Sequence, residues 1–348
     1  MNTELISKKM YAVILLALIS FGCNTNGINK YEIKFSENKK IGSIDVPEDE
    51  IIGTIDDFCF DKEGNLFVLD NGFKMIKMYD PEGSFIQNFS LIEGKGPGEV
   101  MKANSINTDL KGNLYITDII KRTIMIFNKE LELKKEISLR IVPAQIEVEN
   151  DDILYLLGFP FSYTGNLVKK INISKNTYNV VSELVVRDSS KHARNVELSG
   201  YAGYMLYNHE LNNFYYTHFF PYKILKFDSI DSVIAEYTPE EGKLNPPVFD
   251  EKNKYVEPID GSKRLFIVND HILCNVYFKK SDDKEKYYFD FFEESDLSLV
   301  ASYSQNEIEI NYKPNKINRG PNGDVYISTN EDYPRIISYA VSIKEIGN

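Results

Sequence analysis

Phe60-Asp61-Lys62-Glu63-Gly64-Asn65-Leu66-Phe67-Val68-Leu69-Asp70 aligns along its whole length with Thr108-Asp109-Leu110-Lys111-Gly112-Asn113-Leu114-Tyr115-Ile116-Thr117-Asp118. Leu66 and Leu114 lie 48 residues apart. Each copy is a tight turn, Glu63-Gly64 or Lys111-Gly112, feeding an apolar strand that ends at Asp. Glycine accepts the positive φ such turns require, and the branched and aromatic residues behind it suit a buried, pleated surface. A second strand follows each copy, Met75 to Tyr79 and Thr123 to Phe127. Then come a second turn, Asp80-Pro81-Glu82-Gly83 or Asn128-Lys129-Glu130, and a further strand. The pair reads as two copies of one four-strand unit.

Weaker copies continue at Asp152 to Leu156, Asn213 to Tyr216, His271 to Cys274 and Gly323 to Ile327. Anchored on Leu66, Leu114, Leu154, Phe214, Ile272 and Val325, the spacings are 48, 40, 60, 58 and 53 residues. Their mean, about 52, suits blades of four strands arranged around an axis. In the fifth unit Leu265 to Val268 offers a second choice of anchor. Apolar residues at helical spacing are nearly absent. Tyr31 to Ser36 is an alternating strand ahead of the first unit, and the sixth unit offers only about three strands, ending with Arg335 to Ile343. If the N-terminal strand completes the last blade, the ring closes and few edges stay exposed. The expectation is an all-β, six-bladed β-propeller over residues 31–348, closed by its N-terminal strand.

Composition agrees with a folded body. The 348 residues are 43% hydrophobic, which excludes a disordered chain, and 40 basic against 52 acidic residues give a net charge of −12. With no long basic run, the chain is a poor match for nucleic acid. Three cysteines make no disulfide framework. Cys59 and Cys274 fall in blades that are not neighbours, so both are expected as buried free thiols.

Residues 1–22 read as a signal peptide: Lys8 and Lys9, an apolar run from Met10 to Phe21, then Gly22. A run of 12 residues is short of the roughly 20 a membrane-crossing helix needs. Ile19-Ser20-Phe21-Gly22-Cys23 resembles a bacterial lipobox; Gly22 and Cys23 match the pattern, while Ser20 and Phe21 depart from it. The resemblance implies a lipid on Cys23, a short tether over 23–30, and attachment to a membrane through the acyl chains. An ordinary signal with a chance cysteine is the alternative. No acidic run follows Cys23, whereas surface-exposed lipoproteins of the Bacteroidetes often carry one, which favours the periplasmic side of an outer membrane. Gly94 to Glu99, the strand after it and Gly112 to Asp118 resemble the repeat of the NHL propellers. The arrangement as a whole is similar to the six-bladed propeller lipoproteins of gut and oral Bacteroidetes. Those proteins are largely without an assigned activity, so the resemblance implies fold and address rather than chemistry.

If the strands of a blade are a to d from the axis outward, all b–c connections share one face of the disc. Several are unusually aromatic. Phe159, Phe161 and Tyr163 in blade three, Phe219 and Tyr222 in blade four, and Tyr333 in blade six are the candidate ligand-binding residues, suited to a glycan, a peptide or an envelope protein partner. The competing reading packs these rings between blades, in the role Trp plays in other propellers. Tyr201, Tyr204 and Tyr207 lie just beyond a d–a connection. Gly94 to Glu99 lacks the helix and the Lys-Ser/Thr of a phosphate loop and reads as a blade-to-blade turn. Lys279 to Lys286, mixed in sign, reads as a solvated loop. Asp70 and Asp118 repeat at one blade position, which suggests that they tie down turns.

The four histidines show no tight metal spacing, and no nucleophile elbow exists, so no catalytic residue is assigned. No cofactor is expected. A calcium or magnesium ion in the channel is compatible with the acidic composition, but nothing selects its ligands. The favoured function is a lipid-anchored, extracytoplasmic module that binds a ligand or a protein at the cell envelope. The alternative is a divalent-metal-dependent hydrolase or lyase resembling the propeller lactonases, whose sites combine single residues from separate inner strands and leave no local motif.

Overall fold

The computed structural model describes residues 29–159, 165–174, 177–185, 201–220, 222–250, 255–257, 260–281 and 284–346. Cys23 and the signal segment, Phe161, Tyr163 and His192 lie outside them. After strand β1 (Tyr31–Ile41) come four blades of consecutive strands. Blade one is β2 (Asp57–Phe60), β3 (Leu66–Asp70), β4 (Met75–Tyr79) and β5 (Phe85–Ser90). Blade two is β6 (Ala103–Thr108), β7 (Leu114–Asp118), β8 (Thr123–Phe127) and β9 (Leu133–Ser138). Blade three is β10 (Pro143–Val148), β11 (Ile153–Gly158), β12 (Val168–Asn172) and β13 (Asn179–Glu183). Blade four is β14 (Gly203–Asn208), β15 (Asn213–His218), β16 (Lys223–Phe227) and β17 (Val233–Tyr237). A small hairpin, β18 (Val248–Asp250) and β19 (Tyr255–Glu257), precedes blade five, which is β20 (Asp260–Asn269), β21 (Ile272–Ser281), β22 (Lys284–Glu293) and β23 (Leu299–Ser304). Blade six is β24 (Ile317–Arg319), β25 (Val325–Thr329) and β26 (Arg335–Glu345), with β1 as its outermost strand. This is a six-bladed β-propeller closed by its N-terminal strand.

Every sequence anchor falls on the second strand of its blade. In blade five that strand is β21, and Leu265 to Val268 belong to the inner strand β20. The mixed-charge run Lys279 to Lys286 departs from the expected solvated loop. β21 and β22 stay paired through Lys279↔Lys286 and Lys280↔Glu285 out to Ser281↔Lys284, so most of the run is a two-stranded projection.

Turn chemistry explains why the blades repeat. At the c–d hairpins, Asp80, Asn128 and Asp228 each accept the N–H four residues on, at 2.7, 2.8 and 2.8 Å. The intervening residues Gly83, Leu131 and Asp231 hold φ values of 88°, 63° and 64°. A side-chain oxygen thus supplies the bond that stabilises a left-handed position even where the residue is not glycine. Asp118 accepts from Met101 and Lys102 (2.6 and 3.0 Å) on the incoming d–a connection, and from Ile120 and Lys121 (both 2.8 Å) in the b–c turn. Asp70 does the same for Gly53, Thr54 and Phe73 at 2.7, 3.0 and 3.1 Å. These two carboxylates tie turns. In the Gly94 to Glu99 connection, the N–H groups of Gly96 and Gly98 are taken by Glu99 and Glu136 (2.6 and 2.8 Å), which leaves no anion cradle there.

The inner strands are clasped by side chains reaching carbonyls of the adjacent blade. Asn104 donates to Ala144 O (2.5 Å), Gln145 to Met205 O (2.9 Å), Arg264 to Ile317 O (3.0 Å) and Asn318 to Phe58 O (2.5 Å). Thr108 reaches back to Phe60 O at 2.6 Å. Between blades four and five the backbone itself bridges, Ser262 N to Phe219 O at 2.9 Å. Apolar cores fill the wedges between these contacts. One joins blades five and six with β1 through Phe35, Phe289, Phe291 and Tyr339. Cys59 and Cys274 are buried free thiols in blades one and five, and burial pushes both thiols well above the ordinary value.

Candidate ligand-binding mouth of the axial channel

Two cavities open along the axis and share Asp57, Ser105, Gln145 and Arg264 at their waist. The lower one, about 370 Å³, opens on the face of the a–b hairpins and reaches Asn107, Glu147, Asn208 and His209. The upper one, about 140 Å³, opens on the face of the b–c connections. Its walls include Phe159, Tyr201 and Phe219, and its floor Asp57, Tyr204, Arg264 and Lys316.

Each floor residue arrives from a different blade because inner strands alternate, sending every second side chain to the axis. Most of these polar groups are consumed by the fold. Gln145 exchanges bonds with Met205 and donates to Glu147 at 2.9 Å, while Asn107 donates to the other oxygen of Glu147 at 3.1 Å. Burial nevertheless pushes the Glu147 carboxyl up to about 7, against the opposing pull of Arg264 and the Gln145 hydrogen bond. Asp57 Oδ2 accepts from Ser105 Oγ (2.9 Å) and Ile106 N (3.1 Å).

What remains uncommitted is informative. Arg264 uses Nε on Ile317 O and Nη2 on Asn318 Oδ1 (3.0 and 2.9 Å), leaving Nη1 without a hydrogen bond among the described residues. The Lys316 ammonium makes neither a hydrogen bond nor an ion pair there. Burial lowers its affinity for the proton; Asp57 pulls the other way, and Arg264 adds to the lowering. The Tyr204 hydroxyl is also unpaired, its acidity weakened by burial and partly restored by Arg264. Asp57 Oδ1 is the anionic acceptor on the floor, buried without a hydrogen-bond partner among the described residues. A buried oxygen in that state costs free energy unless something later donates to it.

The aromatic residues expected from the sequence separate into different settings. Phe159 and Phe219 line the upper cavity. Phe219 is 4% exposed, packs against Tyr201 with tilted rings whose centroids are 4.6 Å apart, and lies over Gly261, where a Cβ would come within 2.5 Å of its ring. Tyr222 is fully buried away from the mouth, donating to Asp290 at 3.1 Å and stacked on Tyr277. Tyr333 sits at the blade-six rim over Arg335, 4.5 Å from its guanidinium carbon, outside the cavity wall. Asp57, Arg264 and Lys316 escaped the sequence reading. Their one signal was polar alternation along the inner strands, as in Ser105 and Asn107, Gln145 and Glu147, Lys316 and Asn318. Among the described residues no three His, Cys, Asp or Glu side chains gather as metal ligands, and no helix is long and apolar enough to cross a membrane.

No protein-family model and no curated protein matches the chain. Solved structures do. A member of the DUF4221 family from Bacteroides vulgatus superposes with a TM-score of 0.62 at 9% identity, covering 91% of this chain and 100% of its own. A protein of Bacteroides fragilis described as exported gives 0.62 at 13%, covering 92% and 97%. An inactive virginiamycin B lyase from Staphylococcus aureus, solved with quinupristin, gives 0.50 at 10%, covering 88% and 99%. At such identities the likeness shows the fold alone.

Proposed function

We propose that this protein is a binding module of the bacterial cell envelope, exported and held to the membrane by a lipid on Cys23, and that its ligand seats in the upper mouth of the axial channel. One observation carries the reading. Once every side chain that the ring uses for its own closure is set aside, Arg264 Nη1, Lys316 Nζ, Tyr204 Oη and Asp57 Oδ1 remain unpaired among the described residues, on the floor of a cavity walled by Phe159, Tyr201 and Phe219. A concave site with apolar walls and a few convergent polar groups is the usual form of a small-ligand pocket. Export is supported by the charged and apolar start of the chain and by the exported Bacteroides fragilis protein of the same fold. NHL-like turns over residues 94–118 and the lipobox-like Gly22-Cys23 support placing it among envelope propellers.

The test is a thermal-shift screen of residues 24–348, a span that contains every described strand, against glycans, peptides and small metabolites. Wild type is run beside Ala144→Phe, which places a ring at the rim of the upper cavity. A ligand at 100 times its Kd adds roughly 2.7 kcal/mol of stability. The reading predicts at least one ligand that raises the melting temperature of wild type and leaves the plugged variant unmoved. Ligands that shift both proteins equally would place recognition elsewhere on the disc.

A further inference from the structure

The geometry points to a specific ligand class for the upper mouth: a small organic carboxylate that carries a hydrogen-bond donor, hydroxyl or amine, on the carbon next to the carboxyl group. The inference rests on the upper mouth being the ligand site and adds what the site selects.

The argument is one of complementarity. Three of the four unpaired floor groups, Arg264 Nη1, Lys316 Nζ and Tyr204 Oη, offer protons, and two carry positive charge. Of the ionisable residues lining the cavity, two are cationic and Asp57 alone is anionic, in a chain whose net charge is −12. An acidic protein that keeps two cations side by side in a cavity, with Arg264 only 7% exposed, holds a local field favourable to an anion. The mutual repulsion of Arg264 and Lys316 is relieved when an anion bridges them. Charge-assisted hydrogen bonds from guanidinium and ammonium to a carboxylate are the strong ones.

Asp57 Oδ1 supplies the second half of the specificity. It is a buried acceptor with no donor, beside the cations, so a bare anion would leave it unpaired and repelled. A ligand whose carboxylate meets Arg264 and Lys316 while an adjacent O–H or N–H reaches Asp57 satisfies all of them at once. Phosphate, lacking an apolar body, makes no use of Phe159, Tyr201 and Phe219; an α-hydroxy or α-amino acid with a hydrophobic side chain does.

The experiment is calorimetric titration of residues 24–348 with L-lactate, L-phenyllactate and L-phenylalanine, with phenyllactamide and phenylalaninamide, with propionate, and with inorganic phosphate. The expected result is binding of the α-substituted acids, with phenyllactate or phenylalanine tighter than lactate, and loss of binding in the amides. Lys316→Met, which removes a group with no hydrogen bond or ion pair among the described residues, should not lower the melting temperature and should weaken binding roughly tenfold or more. Asp57→Asn should narrow the preference for the α-substituted acids over propionate. Equal binding of the amides, or phosphate binding as tightly as the acids, overturns the ligand class. So does a complete lack of acid binding up to about 10 mM, roughly four decades, or about 5.5 kcal/mol, weaker than micromolar recognition. If another ligand is then found that Ala144→Phe blocks, the mouth remains the site and only the carboxylate assignment falls.

Discussion

Replacing Phe35 by Ala tests whether the N-terminal strand closes the ring energetically as well as geometrically. Phe35 is 1% exposed and packs among Phe289, Phe291 and Tyr339 with centroid distances of 6.1, 6.4 and 6.1 Å. Its ring therefore fastens β1 to both blade six and blade five. Truncating a buried Phe to Ala removes its transfer free energy and leaves a cavity, together about 3–5 kcal/mol. Domains are typically stable by roughly 5–15 kcal/mol, so this is a large fraction of the total. With a urea m-value of about 3 kcal/mol/M, the unfolding midpoint should fall by roughly 1–1.7 M. Lys34→Ala, on the solvent side of the same strand, should move it by no more than about 0.5 kcal/mol. The assay is urea denaturation of residues 24–348 followed by far-ultraviolet circular dichroism. A Phe35→Ala midpoint within 0.2 M of wild type, taken as about the error of such curves, would refute the closure argument, because the core of blades five and six would then stand without β1.

Three further outcomes follow from features already described. Glu147 titrates near 7 in the folded chain against 4.5 ordinarily, so the folded state holds an extra proton between those values, and stability is lost as pH rises through that window. The loss is at most roughly 3 kcal/mol, since the lower cavity admits water, and Glu147→Gln should flatten the pH dependence of the urea midpoint between pH 5 and pH 8, values chosen as about the two ends of the window; an unchanged slope refutes the assignment. Asp118→Ala leaves four backbone N–H groups of two turns without their acceptor and should cost about 3–5 kcal/mol by urea midpoint, with Asp118→Asn clearly milder. Cys59 and Cys274 should resist a thiol reagent in the native protein and react together on unfolding, a result that a fast-reacting native thiol would contradict.

The fold was legible in the sequence because propeller blades repeat their turn chemistry locally. Gly64-Asn65 and Gly112-Asn113 mark equivalent hairpins, and Asp70 and Asp118 mark equivalent turn ties, all within a few residues of the strands they organise. Closure by β1 was legible from a missing strand at one end and a spare strand at the other. The charged projection of blade five was misread as a loop, because Lys279, Lys280, Glu285 and Lys286 lack the apolar alternation by which buried strands are recognised, although cross-strand pairing continues through them. The candidate mouth was only half legible. Its aromatic wall drew notice through Phe159 and Phe219, both at the ends of strands. Its floor comes from Asp57, Tyr204, Arg264 and Lys316, more than 250 residues apart at the extremes and brought together only by the ring. Nothing local distinguishes an inner-strand polar residue that clasps the next blade, such as Asn318, from one left facing the channel, such as Lys316. That distinction needs hydrogen-bond partners, which the sequence does not contain.

The seating of β1 also decides how the molecule bears mechanical load. β1 runs antiparallel to β26 over ten paired positions, from Tyr31↔Glu345 to Ile41↔Ile336. Just outside that pairing, Lys30 N donates to Val300 O at 2.7 Å in blade five, and Ile346 N donates to Lys30 O at 2.9 Å. Tension applied to whatever precedes Asn29 therefore enters along the strand axis at the hairpin face, the side opposite the aromatic mouth. In that geometry the β1–β26 hydrogen bonds are sheared together instead of being unzipped one after another, and part of the load passes into blade five. A pull on the N-terminus thus acts on the hairpin face, opposite the upper mouth.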